Sequence, residues 1–233
     1  MITTIRPSHL LAATTLAAST SIAAADITGA YILRYTITAE DFGGAEVTIN
    51  VADLYLTSDD PPTTALNIYN CNLPSTPQSC YFQSFTGTGW TPNNLGGLFD
   101  TPALRHADSF VTIGAFQNQQ GPCLVNPLQI PGVGENIGLD PNFGGNNACF
   151  PGVNAGWYNG SPPNYNGQVG EVATCGGGTG LGVIIGRLSS EDEVDLSGIS
   201  FELTWNHGLG TPGSQAEFTI FGNGCQIVFD DCK

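Results

Sequence analysis

Apolar and polar side chains alternate along much of this chain with a period of two, the spacing of strands that bury one face. In Ala45 to Leu56 (AEVTINVADLYL), Val47, Ile49, Val51 and Tyr55 share one parity, and Glu46, Thr48 and Asn50 share the other. That pattern predicts a strand with one wet face. Asp53 breaks the apolar parity, so it lies at a sheet end or has a specific partner. Ala30 to Ile37 (AYILRYTI) is rich in β-branched and aromatic residues and predicts a second strand. Further candidates are Ala65 to Tyr69, Tyr81 to Phe85, Ser109 to Phe116, Leu181 to Leu188, Ile199 to Trp205, Ala216 to Phe221 and Gln226 to Phe229. Asp59-Asp60-Pro61-Pro62, Pro92-Asn93-Asn94 and Asn223-Gly224 punctuate them as turns, and no helical period appears after residue 25. Many short strands between such turns predict an all-β antiparallel sandwich, jelly-roll-like in its order.

Residues 117–180 differ from their flanks. They hold fifteen of the 31 glycines and seven of the fifteen prolines, with only Glu135, Asp140 and Glu171 charged. Such composition predicts a long irregular excursion instead of regular ladders. Its aromatics, Phe143, Phe150, Trp157, Tyr158 and Tyr165, are numerous enough to pack the excursion back on a sheet.

The first 25 residues change the chemical context of everything after them. Arg6 precedes the apolar run Leu10 to Ala18, and Ala23 and Ala25 supply the small residues of a signal-peptidase site before Asp26. Residues 26–233 are then the mature chain, secreted to the periplasm or beyond. Their length suits one domain that buries roughly 70% of its unfolded surface. The apolar leader is too short for a retained membrane span, and no later run replaces it.

Losing Arg6 with the leader takes the formal charge from −15 to −16. Such a surface repels phosphate backbones and anionic lipid, which argues against nucleic acid or membrane partners. Solubility is the plain account of the acids, with calcium binding the functional alternative. The run Glu191, Asp192, Glu193 and Asp195 is the candidate calcium site. It lacks the spacing of a calcium loop, and a solvated hairpin tip is the preferred account. Asp59 with Asp60 and Asp230 with Asp231 read the same way.

Seven cysteines in an oxidising compartment imply three bridges and one leftover. Nearest-neighbour spacing selects Cys71–Cys80, Cys123–Cys149 and Cys225–Cys232. Cys175 then remains free, as a small buried hydrophobe in preference to an intermolecular linker.

Catalytic signatures are sparse. Gly176 to Gly182 never sets glycines at the dinucleotide-fingerprint offsets, and it precedes a strand. Lys233 is the one lysine, which excludes a phosphate-binding loop, and no zinc motif or Gly-x-Ser-x-Gly elbow occurs. Two histidines remain in the mature chain. His106 sits in RHADS beside Asp108 and Ser109, but residues adjacent on an extended segment point to opposite faces and do not make a triad. His207 follows Trp205 and Asn206 at a strand end and reads as a turn residue. For recognition, GWYNGSPPNYNG (Gly156 to Gly167) is the best segment. Trp157, Tyr158 and Tyr165, flanked by Asn side chains, match a sugar's apolar faces and hydroxyl rim. Anchoring of the loop by buried aromatics is the competing reading.

SFVTIG (Ser109 to Gly114), GWYNGSPPN (Gly156 to Asn164) and GVIIGRL (Gly182 to Leu188), in that order, resemble landmarks of a family of uncharacterised secreted bacterial β-sandwich proteins. The resemblance spans most of the mature chain and implies one fold unit, with no activity, cofactor or catalytic residue attached. It also implies that these strings are framework, Trp157 included. The expectation is therefore an exported, non-enzymatic protein of the cell envelope or extracellular matrix, its partners extracellular polysaccharide or envelope proteins. The alternatives are a carbohydrate-binding module and a secreted hydrolase built on His106 or His207.

Overall fold

A computed structural model describes residues 26–41, 43–75, 80–82, 89–91, 107–114, 137–143, 149–162, 167–193 and 195–226. Eleven strands run through these residues: β1 (Ile27–Glu40), β2 (Glu46–Ser58), β3 (Thr64–Asn72), β4 (Phe110–Val111), β5 (Ile137–Leu139), β6 (Ala155–Asn159), β7 (Gly170–Ala173), β8 (Thr179–Ser190), β9 (Ile199–Asn206), β10 (Gly213–Ile220) and β11 (Cys225–Gln226). They form two packed sheets. Sheet A has the order β11-β1-β2-β8-β4, with β7 also paired to β8, and sheet B has the order β10-β9-β3-β6-β5. Every strand pair is antiparallel except β1 with β11, which runs parallel. The fold is the all-β sandwich the alternation predicts. Among the described residues, no helix is long and apolar enough to cross a membrane.

Sheet B follows the one-face-wet rule closely. In β9, Ile199, Phe201, Leu203 and Trp205 are buried, while Ser200, Glu202, Thr204 and Asn206 are partly exposed. The buried set meets Ile32, Leu54, Leu56, Val183 and Ile185 of sheet A in the main core. Phe218 of β10 stacks on Phe201 with centroids 5.8 Å apart. The Trp205 indole N–H donates to the Asp26 carboxylate at 3.2 Å, so a large apolar ring is buried without losing its donor.

Sheet A departs from that rule. Glu46, Thr48 and Asn50 give β2 the expected wet face only over its first residues, because the same parity continues as Ala52, Leu54 and Leu56 into the main core. The opposite parity is buried as well, in two outer clusters. Leu33, Tyr55, Phe110, Val172 and Ile184 form one, and Tyr35, Ile37, Ile49, Val51 and Ala107 form the other. A cover therefore lies over this outer face. Val172 packs with Leu33 across two intervening strands, and the Tyr31 hydroxyl donates to the Ala173 carbonyl, so β7 reaches back over the sheet. Further along, Tyr81 N–H donates to Ser189 O at 2.7 Å and Ser109 N–H donates to Tyr81 O at 3.1 Å.

The excursion over 117–180 is more regular than its composition predicts, since it contributes β5, β6, β7 and the start of β8. Glycine permits these ladders because the strands approach closely. A Cβ at Gly156 would stand 2.9 Å from Asp140 Oδ2 and 3.3 Å from Ile68 O, and one at Gly182 would stand 2.3 Å from Leu56 O. Of the five aromatics expected to pack the excursion back, Phe143, Phe150 and Trp157 do so, whereas Tyr158 is exposed and Tyr165 lies outside the described residues. Trp90, Phe143, Phe150 and Trp157 meet edge-on or tilted at 5.2–6.3 Å, forming one end of the main core.

The disulfide pattern corrects the spacing argument. Cys175 is joined to Cys225, with Cα atoms 5.5 Å apart across a sequence separation of 50. Cys175 is thus not the free cysteine, and Cys225 is not bridged to Cys232, which lies outside the described residues. Nearest-neighbour spacing fails here because sheet order sets the encounter. Cys225 stands beside Leu33 in β11, and the turn after β7 carries Cys175 over the same edge, both sulfurs facing Ile32 O. Cys71, Cys80 and Cys149 are thiols. Cys71–Cys80 is therefore not formed, nor is Cys123–Cys149, whose Cys123 lies outside the described residues.

Candidate functional site

The chain's most concentrated polar chemistry lies on the covered face of sheet A. Strand register puts Asp53 of β2 opposite Leu33 on one side and Arg187 of β8 on the other, and sets Arg187 opposite Phe110 of β4. Asp53 is 0% exposed and Arg187 2% exposed. The guanidinium grips the carboxylate with two bonds, Nε to Oδ1 at 2.6 Å and Nη2 to Oδ2 at 3.0 Å. The Tyr35 hydroxyl donates to the same Oδ2 at 3.0 Å. Above them the guanidinium carbon lies 5.1 Å from the Phe110 ring centroid. The apolar parity of β2 is thus broken by a residue whose specific partner sits on another strand.

The electrostatics follow from enclosure. Burial lowers the Arg187 pKa, and attraction to Asp53 outweighs it, leaving the guanidinium held above its ordinary value. Burial pushes the Tyr35 and Tyr55 phenols well up, with Asp53 adding to both. Tyr31 is raised in the same way. All three phenols therefore stay protonated, and Tyr31 and Tyr35 donate hydrogen bonds. Both Asp53 oxygens accept hydrogen bonds from neighbouring strands, so the arrangement ties β1, β2 and β8 together.

The residues singled out in the sequence fall as follows. Ser109 is buried, and its hydroxyl is committed to the backbone of Ser189, accepting from the N–H at 3.1 Å and donating to the carbonyl at 3.3 Å. Asp108 is buried beside it, and His106 lies outside the described residues. Ser109 is thus pinned to β8 and does not present a nucleophile. His207 begins the turn after β9, where its N–H donates to Thr211 Oγ1 at 2.9 Å and its Nε2 stands 4.0 Å from the Asp26 carboxylate.

In the acidic run, Glu193 faces Arg34 at 3.9 Å and Asp195 accepts the Ser197 N–H at 2.9 Å. Glu191 offers its backbone carbonyl to Asn50, and the Asp192 N–H donates to Ser190 Oγ. These four residues point to separate partners. Among the described residues no group of three or more His, Cys, Asp or Glu side chains could hold a metal ion.

Trp157 is 2% exposed, and its indole N–H donates to Thr112 O at 2.8 Å. It is an anchor between the sheets and not an exposed platform. Tyr158, next in the strand, points the other way and is 54% exposed. Its ring lies across Gly138 of β5, where an added Cβ would be 2.0 Å from the ring. An aromatic covering an edge glycine shields the bare backbone and leaves the ring's other face open. Tyr165 lies outside the described residues.

Tyr158 also belongs to a surface the sequence reading missed. Strand register aligns Gly138, Tyr158, Asn67, Thr204 and Gln215 across the outer face of sheet B, with Tyr69 and Glu202 in the next row. Glu202 accepts from Asn70 at 2.7 Å, from the Tyr69 hydroxyl and from Gln215 at 3.2 Å, and these bonds hold its carboxyl below the usual range. The alternation in β9 contained the signal for this face, but its cross-strand neighbours follow only from register.

No family model, curated protein or solved structure matches the chain. The landmarks SFVTIG, GWYNGSPPN and GVIIGRL therefore stand on those strings alone.

Proposed function

We propose that this chain is an exported, non-enzymatic protein of the cell envelope or extracellular matrix that acts through its surface. The observation carrying this reading is the Cys175–Cys225 bridge, which fastens the cover of sheet A to its edge strand. Such cross-links persist outside the cytoplasm, in agreement with the leader before Asp26. The reading is supported by the saturation of the buried ionic centre and by the commitment of Ser109 to backbone bonds. Localising the tagged protein in its native cells tests it. Recovery in periplasm, matrix or medium agrees, and retention in the cytoplasm refutes it.

A second reading, binding of a neutral polysaccharide, is favoured by Tyr158. One ring face rests on Gly138 and the other is open, with Asn67, Thr204 and Gln215 along the same row. Stacking on the ring and hydrogen bonding to the amides suit a sugar, while a charge of −15 on the whole chain disfavours polyanionic ones. A glycan array with the wild type and Tyr158→Ala decides: loss of a wild-type signal in the variant agrees, and no wild-type signal removes the reading.

A further inference from the structure

We propose that Cys80 and Cys149 form a second disulfide when the protein reaches an oxidising compartment, closing the aromatic end of the sandwich. The two thiols are hydrogen-bonded neighbours, and the Phe150 N–H is directed at the Cys80 sulfur. Neither is a cysteine on a wandering loop. Tyr81, next to Cys80, is fixed by its N–H bond to Ser189 O at 2.7 Å and by the Ser109 N–H on its carbonyl. Phe150, next to Cys149, packs edge-on against Trp90 at 5.2 Å and against Phe143 at 5.5 Å. Phe82, two residues from Cys80, also meets Trp90 edge-on at 5.1 Å. One indole therefore packs against both cysteine-bearing segments, and the two thiols stand in contact beside it.

Both side chains are partly exposed, which leaves them open to an exchange partner, whereas Cys71 is sealed in the core opposite Ala155. Burial, then the Cys149 contact, pushes the Cys80 thiol up to about 12, so it reacts slowly unless a disulfide-bearing catalyst brings the sulfur to it. The oxidant is a protein or small-molecule disulfide. A thiolate from one cysteine attacks that disulfide and expels one of its sulfurs as a thiolate. The second cysteine then attacks the mixed disulfide and expels the other. The products are the Cys80–Cys149 bond and a reduced dithiol carrying the two electrons, the protons of the two protein thiols having passed to it or to water.

This inference rests on the proposed export, and one digest separates the two. The full chain, recovered from native cells together with their medium, is blocked with iodoacetamide, digested without reduction and mapped by mass spectrometry. The expected result is a Cys80 peptide joined to a Cys149 peptide beside the Cys175–Cys225 pair. Cys175 joined to Cys225 with Cys80 and Cys149 both alkylated, or either joined elsewhere, overturns this inference and leaves export standing. Alkylation of all four overturns both. Thiol titration of unfolded, unreduced Cys80→Ser and Cys149→Ser adds an independent readout. Each single variant gains one free thiol over wild type and the double variant gains none; a loss of one in either single variant contradicts the pairing.

Discussion

Replacing Arg187 with Met removes the charge that balances Asp53 while nearly preserving side-chain volume, so the loss reports the electrostatics of the covered face and not a cavity. Asp53 is fully buried, and two of its three hydrogen bonds come from Arg187. A buried ion left without its partner costs about 3–5 kcal/mol. In a domain of this size each kcal/mol moves the melting temperature by about 2–4 °C, so Arg187→Met melts roughly 6–20 °C below wild type. The same reasoning gives the opposite result for a concerted change. Asp53→Leu with Arg187→Met removes both charges, and adding Tyr35→Phe removes the hydroxyl that would otherwise lose its acceptor. A well-packed apolar replacement of a buried pair is neutral or stabilising by about 1–4 kcal/mol. The triple variant is therefore expected to melt at or above the wild-type temperature. The assay is thermal unfolding followed by far-ultraviolet circular dichroism on all three proteins. An Arg187→Met melting point within 2 °C of wild type, or a triple variant as weak as the single, would refute the view that this pair is sealed from water.

Other consequences can be checked as directly. Reducing Cys175–Cys225, or replacing both cysteines with Ala, releases a loop of 50 residues and is expected to cost about 4 kcal/mol on the chain-entropy account, read as a fall in the urea midpoint; an unchanged midpoint contradicts it. Gly182→Ala drives a methyl toward Leu56 O and Val172 and is expected to lose about 1–3 kcal/mol, whereas Gly176→Ala, whose Cβ meets nothing within 4 Å, is expected to be near neutral. Equal losses at the two glycines would sink that distinction. Glu202 has a depressed carboxyl pKa, so its contribution is present above the ordinary value of 4.5 and is lost as pH falls through the folded value. Glu202→Gln should therefore flatten the acid limb of a stability-against-pH curve, and an unaltered limb argues against the Asn70 and Tyr69 bonds. Cys71 is buried, and burial alone raises its thiol far above the usual range, so it is expected to resist alkylation in the native protein and react on unfolding.

Period-two alternation made much of the fold legible. Strands β1, β2, β3, β8, β9 and β10 lie where the alternation places them, because their side chains divide between a core and a second environment. Strands β5, β6 and β7 were hidden because Gly138, Gly156 and Gly170 carry no side chain to register a parity, although Gly138 and Gly156 let a neighbouring ring or strand approach. Asp53 announced a partner, and Arg187 inside GVIIGRL was the complementary anomaly 134 residues away. Local sequence could not join them, since their meeting depends on β2 and β8 being neighbours in a particular register. The cysteines show the same limit: proximity in sequence suggested Cys225–Cys232, while sheet order delivered Cys225 to Cys175. Trp157 and Tyr158 are adjacent and opposite in role because successive residues of a strand face opposite sides.

The proposed export has the chain cross a membrane, lose its leader and fold from Asp26 as a cross-linked sandwich. Its most direct test is intact-mass and N-terminal analysis of the unreduced protein recovered from outside native cells, together with recovery of the Cys175–Cys225 peptide. The account predicts an amino terminus at Asp26 and that peptide intact. A full-length chain with reduced Cys175 and Cys225, found in the cytoplasm, would contradict it.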